Sequence, residues 1–127
     1  MLHFDSDYME GAHPAILERL AATNFDQTSG YGTDEVCAAA RERIREACAC
    51  PHANVYFLVG GTQANAAVAD QILRPWEGIV SATTGHITAH EAGAVEACGR
   101  KTLPLPHVDG KLVAADVRAL CEAYWGD

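Results

Sequence analysis

The apolar run Val55-Tyr56-Phe57-Leu58-Val59, closed by Gly60-Gly61-Thr62, narrows the possible folds more than any other stretch. Five consecutive β-forming apolar residues have no polar face to offer water, so the run is expected as a strand buried on both sides. The glycines permit a tight turn, and the alanine-rich stretch 63–73 then reads as a helix ended by Pro75. The alternation continues with a second strand expected at 78–81 and a helix near 89–98. An extended segment at 102–105 and an amphipathic helix at 113–124 follow. Strands alternating with helices need crossover connections, which build a mainly parallel sheet covered by helices. The expected fold class is α/β.

The N-terminal stretch reads differently. Residues 3–9 form a short mixed arm. Pro14 opens a helix to about residue 23 with Ile16, Leu17 and Leu20 on one face. The segment 24–33 is turn-rich and contains Ser29-Gly30-Tyr31-Gly32. Thr33 or Asp34 is placed to cap a helix running to about residue 48, with Val36, Cys37, Ala40, Ile44, Ala47 and Cys48 as its apolar stripe; Pro51 stops it. This divides the chain into an arm with helices (1–50) and the start of an α/β domain (51–127).

Charge and cysteine usage exclude several classes. A formal net charge of -8 opposes an electrostatic grip on nucleic acid or anionic lipid. Arg41, Arg43 and Arg45 alternate with Glu42 and Glu46, the pattern of a solvated helix face. No apolar run approaches the length of a membrane span. The five cysteines are an odd number, and the chain opens without a secretory pattern, so a reducing cytoplasm is expected. Cys48, Cys50 and His52 make one cluster where a zinc knuckle wants two; ordinary buried thiols are expected, and no metal.

Three segments carry chemistry. Gly60-Gly61-Thr62-Gln63-Ala64-Asn65 sits between strand and helix, where free N–H groups and partial positive charge suit an anion. It lacks the lysine of a triphosphate loop and the spacing of a dinucleotide fingerprint, so the phosphate of a compact cofactor fits better; turn geometry alone is the alternative. His86 falls after the second strand, at the carboxyl end where α/β sheets place their ligands. Its imidazole suits stacking on an aromatic ring or moving a proton. His86 and His90 share a helical spacing with Glu91 nearby, but Ile87 stands where a zinc-helix glutamate belongs, and His90 reads as a surface or interface residue. Tyr31, between glycines, either packs down or reaches a ligand or a neighbouring subunit.

In order and spacing these segments resemble the threonine aldolase/β-eliminating lyase family, across essentially the whole chain. Phe4-Asp5-Ser6-Asp7 is similar to the family's opening Arg-Ser-Asp segment, although Asp5 stands where arginine is usual. Tyr31-Gly32-Thr33-Asp34 resembles its Tyr-Gly-x-Asp loop. Gly61-Thr62-Gln63-Ala64-Asn65 resembles its phosphate cup, and His86 with His90-Glu91-Ala92-Gly93 resembles its ring-stacking histidine ahead of Glu-Ala-Gly. The resemblance implies the N-terminal part of the large domain of a pyridoxal-phosphate enzyme of fold type I, the aspartate aminotransferase-like class. It implies cleavage of β-hydroxy-α-amino acids to glycine and an aldehyde, in a cytoplasmic homodimer or homotetramer. Gly61, Thr62, Asn65 and His86 would bind cofactor, His86 would be catalytic, and Ser6 and Tyr31 would meet the substrate. Such enzymes attach the cofactor through a lysine, but Lys101 and Lys111 match no family lysine motif, and Asp109 comes too soon to be the family's aspartate. The chain alone is therefore expected to be an inactive fragment. β-Elimination on the same fold, or a non-catalytic anion-binding α/β domain, are the alternatives.

Overall fold

The computed structural model describes residues 8–125. The chain falls into two compact units, Met1–Val55 and Tyr56–Asp127.

In the first unit, α1 (Pro14–Thr23) begins with proline at its first turn, and the His13 ring nitrogen accepts from the Ala15 N–H at 3.2 Å. Proline lacks the N–H that a helix start leaves orphaned, so it costs nothing there. Helix α2 (Glu35–Ala47) is capped by Asp34, whose Oδ1 accepts the Cys37 N–H at 2.8 Å. Glu35 in its first turn and Arg45 in its last complement the helix dipole. After α2 the chain turns back through Ala49, with φ 51°. Arg45 then donates to the Ala53 carbonyl at 2.8 Å and Arg41 to the Val55 carbonyl at 3.2 Å, tying the returning segment to the helix. The expected stripe of α1 is not buried: Ile16, Leu17 and Leu20 are each more than half exposed. Cys48 and Cys50, expected as buried thiols, are exposed as well: they lie at and beyond the C-terminal end of α2, where the chain turns back.

The second unit is α/β. Helix α3 (Gly61–Ile72) leads to β1 (Gly78–Ala82), and two short helices, α4 (His86–Ala89) and α5 (Ala94–Ala97), cross over to β2 (Lys101–Leu105). β1 and β2 are parallel, in register from Gly78 opposite Lys101 to Ala82 opposite Leu105. A Cβ on Gly78 would lie 2.9 Å from the Lys101 carbonyl and 2.8 Å from Leu103 Cδ1, so only glycine allows this approach. Among the described residues Ala69 of α3 and Val95 of α5 are the fully buried apolar side chains; α3 packs on α5, the alanine letting the helices close. Arg100 reinforces this, reaching the Asp70 carboxylate and its backbone carbonyl, both at 3.0 Å. A hairpin of β3 (His107–Val108) and β4 (Lys111–Leu112) precedes α6 (Ala114–Trp125). Asp109 and Gly110 both have positive φ, the geometry that a two-residue Asp-Gly hairpin turn requires.

Three expectations need correction. Residues 55–59 form no strand: Tyr56 is 78% and Val59 94% exposed. A strand exists only through ladder partners, and among the described residues β1 and β2 pair with each other while none lies along this run. The helix expected near 89–98 is two helices, since Ala92 (φ 50°) and Gly93 (φ 76°) take left-handed backbone between them. Between the extended segment 102–105 and the last helix, where no strand was expected, the Asp109-Gly110 turn closes a hairpin.

Candidate active site

Helix α3 opens without a side-chain cap. Gly60 is extended (φ 178°, ψ 172°), no side chain hydrogen-bonds to the first-turn amides, and a Cβ on Gly60 or Gly61 would meet nothing within 4 Å. Gln63 turns its Oε1 backward to accept the Val59 N–H at 2.9 Å. The start of this helix therefore presents unclaimed N–H donors, the Thr62 hydroxyl and open space: the physical requirements for an anion.

The second element of the site comes off the end of β1. Gly85 donates to the Ala82 carbonyl at 2.8 Å in a tight turn, which delivers His86 to the start of α4. The backbone at Gly85 (φ -64°) suits any residue. Glycine is needed there for space, since a Cβ would run into Ser81 Oγ and lie 3.0 Å from the Ala82 carbonyl. The His86 side chain is 64% exposed, and its Nδ1 lies 2.7 Å from Oε1 of Glu91. The Asn65 amide, one turn into α3, donates to the same Glu91 oxygen at 2.6 Å. The His90 ring stands 5.5 Å from that of His86, tilted 48°.

Glu91 is the buried centre of this arrangement, with none of its side chain exposed. Burial pushes its carboxyl pKa up, but the hydrogen bonds from His86 and Asn65, with the charge of His86, outweigh this and hold it below the ordinary glutamate value. A negative charge is thus kept inside the unit, shared by two elements.

The structure brings together Asn65 and His86 through Glu91, with Gly61 and Thr62 opening the helix that carries Asn65. Tyr31 belongs to the first unit. It is fully exposed, with left-handed backbone (φ 61°), followed by Gly32 at φ 70°. Such backbone is unfavourable for an aromatic residue, and its cluster with an outward ring marks a position worth testing. Ser6 lies outside the described residues. Sequence reasoning missed Glu91 and Gly85 as members of the site. The available signal was a carboxylate five residues beyond His86, followed directly by Ala92 and Gly93.

The chain is similar to known proteins over most of its length. The sequence model of the beta-eliminating lyases matches residues 3–124. A low specificity L-threonine aldolase of a Pseudomonas species is 27% identical over 117 residues, covering 91% of this chain and 34% of the relative. One from Pseudomonas aeruginosa is 28% identical over the same proportions. A solved threonine aldolase of Leishmania major superimposes with a TM-score of 0.85 at 45% identity, over 90% of this chain and 33% of that one. The chain thus spans about a third of the length of the relatives it matches. With the family match running nearly from end to end, and the α/β fold shared with a threonine aldolase, the chain belongs to the beta-eliminating lyase family.

Proposed function

We propose that this chain is the cofactor-cradling N-terminal portion of a pyridoxal-phosphate-dependent aldehyde-lyase of the threonine aldolase type. The enzyme would cleave β-hydroxy-α-amino acids to glycine and an aldehyde. One observation carries the reading: Asn65 and His86 meet on one oxygen of Glu91, joining the anion-ready end of α3 to an exposed imidazole. The residues fit the group. The open, uncapped amides of Gly61 and Thr62 suit its phosphate, and the half-free ring of His86 suits its pyridine face.

When bound, pyridoxal phosphate supplies the electron sink for bond cleavage next to the amino-acid α-carbon. The chain's own residues do the rest. Gly61, Thr62 and Asn65 hold and orient the phosphate end, while His86 covers the ring and holds or moves a proton. Ser6 and Tyr31 are assigned to the substrate, Tyr31 as part of a homodimer or homotetramer. Residues 1–50 would serve those contacts and 51–127 begin the cofactor domain. Five free cysteines suit a cytoplasmic setting, and no described helix is long and apolar enough to cross a membrane. Neither nucleic acid nor a membrane is a partner in this reading.

The lysine that would carry the cofactor is not supplied by these residues. Lys101 bonds the Tyr124 hydroxyl at 2.9 Å, and Lys111 is exposed on β4. The 127-residue chain alone would accordingly be inactive in this reading. Calorimetry with this chain tests the cradle: pyridoxal phosphate should bind detectably more tightly than pyridoxal, and equal binding would overturn the reading. The polypeptide encoded by the natural gene should release acetaldehyde and glycine from L-threonine. Ammonia and 2-oxobutanoate instead would assign it to β-elimination.

A further inference from the structure

The part played by Glu91 goes beyond cofactor binding. An ionised carboxylate only accepts hydrogen bonds. Both donors that reach Glu91 converge on Oε1, while Oε2 is buried with no hydrogen-bond partner among the described residues. Burying a carboxylate with half its acceptors unmet is unfavourable, and a hydrophobic side chain would fill the space at less cost. Its retention needs a reason other than stability.

We propose that Glu91 is a positioning residue for His86: by accepting from Nδ1–H it fixes the neutral imidazole in the Nδ1–H tautomer and leaves Nε2 as the nitrogen free to take a proton. A histidine's tautomer is set by the hydrogen bond its other nitrogen makes, and a buried acceptor at 2.7 Å is such a bond. Asn65 completes the device. Its amide holds the carboxylate from α3 at 2.6 Å, so the oxygen facing His86 cannot swing away without breaking a second bond. The left-handed pair Ala92 and Gly93 turns the chain immediately after Glu91, and the Ala94 N–H closes that turn on the Glu91 carbonyl at 3.1 Å. The ring of His86 is thereby anchored at one nitrogen while 64% of its side chain stays accessible. The tautomer is inferred from the contact geometry and the carboxylate's charge; its use in catalysis rests on the pyridoxal-phosphate reading.

Side-chain nitrogen NMR of the 127-residue chain, at a pH of about 8.5 where an ordinary imidazole is neutral, tests this directly. His86→Gln assigns the signal. The wild-type chain should show His86 mainly as Nδ1–H, against the Nε2–H preference of a free imidazole, and Glu91→Leu should return it to that preference. A wild-type His86 mainly in the Nε2–H form would overturn the proposal, whether or not the leucine variant folds. So would a folded Glu91→Leu chain that keeps the Nδ1–H form. The two readings fail separately: an Nδ1–H His86 in a chain that does not favour pyridoxal phosphate over pyridoxal sinks only the cofactor assignment.

Discussion

Gly85→Ala tests whether the turn that delivers His86 depends on empty space. The added Cβ would lie 3.0 Å from the Ala82 carbonyl and closer still to Ser81 Oγ. Neither neighbour yields easily. The carbonyl accepts the Gly85 N–H at 2.8 Å, so moving it opens the turn, and Ser81 is 92% buried, its hydroxyl donating to that carbonyl at 3.2 Å. Overpacking of this kind costs about 1–3 kcal/mol. Because φ at Gly85 is -64°, alanine fits the backbone, and the stiffer unfolded chain offsets about 0.4–1 kcal/mol. The net expectation is a loss of about 1–2 kcal/mol. With a urea m-value of about 1–3 kcal/mol/M, that lowers the unfolding midpoint by roughly 0.3–2 M. Tryptophan emission during a urea titration reads it. Adding Ser81→Ala removes the nearest obstacle, so the double variant should recover at least half the loss. A midpoint unchanged or raised by Gly85→Ala alone would refute the steric reasoning.

Other expectations follow from the same structure. Val95→Ala should destabilise the second unit by about 2 kcal/mol in the same titration, since two carbon groups leave a fully buried site at about 0.8 kcal/mol each, plus a cavity. Gly61→Ala should leave stability unharmed, because the new Cβ meets nothing within 4 Å, yet weaken pyridoxal phosphate binding in calorimetry, because that space is the proposed phosphate seat. Glu91 has a folded pKa below its unfolded value of 4.5, so its contribution is fully present above 4.5 and is lost as pH falls through the lower folded value. Glu91→Leu should flatten that acid limb in urea midpoints taken from pH 7 downward. Cys37, whose thiol is pushed up by its hydrogen bond to Asp34, then by burial and the Asp34 charge, should react with iodoacetamide more slowly than exposed Cys48 and Cys50, and Asp34→Asn should speed it. Peptide mass mapping follows each site.

Features written in neighbouring residues were legible in the sequence. Asp34 marks a helix start because its side chain accepts a first-turn N–H, and Pro14 because it has no N–H to leave orphaned there. The run 55–59 was misread because composition reports what a segment would bury, whereas strand formation depends on a ladder partner elsewhere. Glu91 escaped for a related reason. Its identity suggests a solvated helix residue, and only the folding of α3 against the α4–α5 crossover reveals that it is buried between Asn65 and His86. The break at Ala92-Gly93 was hidden too, since alanine gives no local warning of a left-handed backbone.

The exposed rings and branched chains of Tyr56 and Val59 have a practical consequence for anyone handling this polypeptide. A stretch free of charge and proline, lying outside any sheet and turned toward solvent, offers a sticky ribbon to the same stretch on another molecule. Its solution behaviour will accordingly depend on how crowded the sample is: light scattering should climb steeply with concentration, and dilute samples should stay clear for longest.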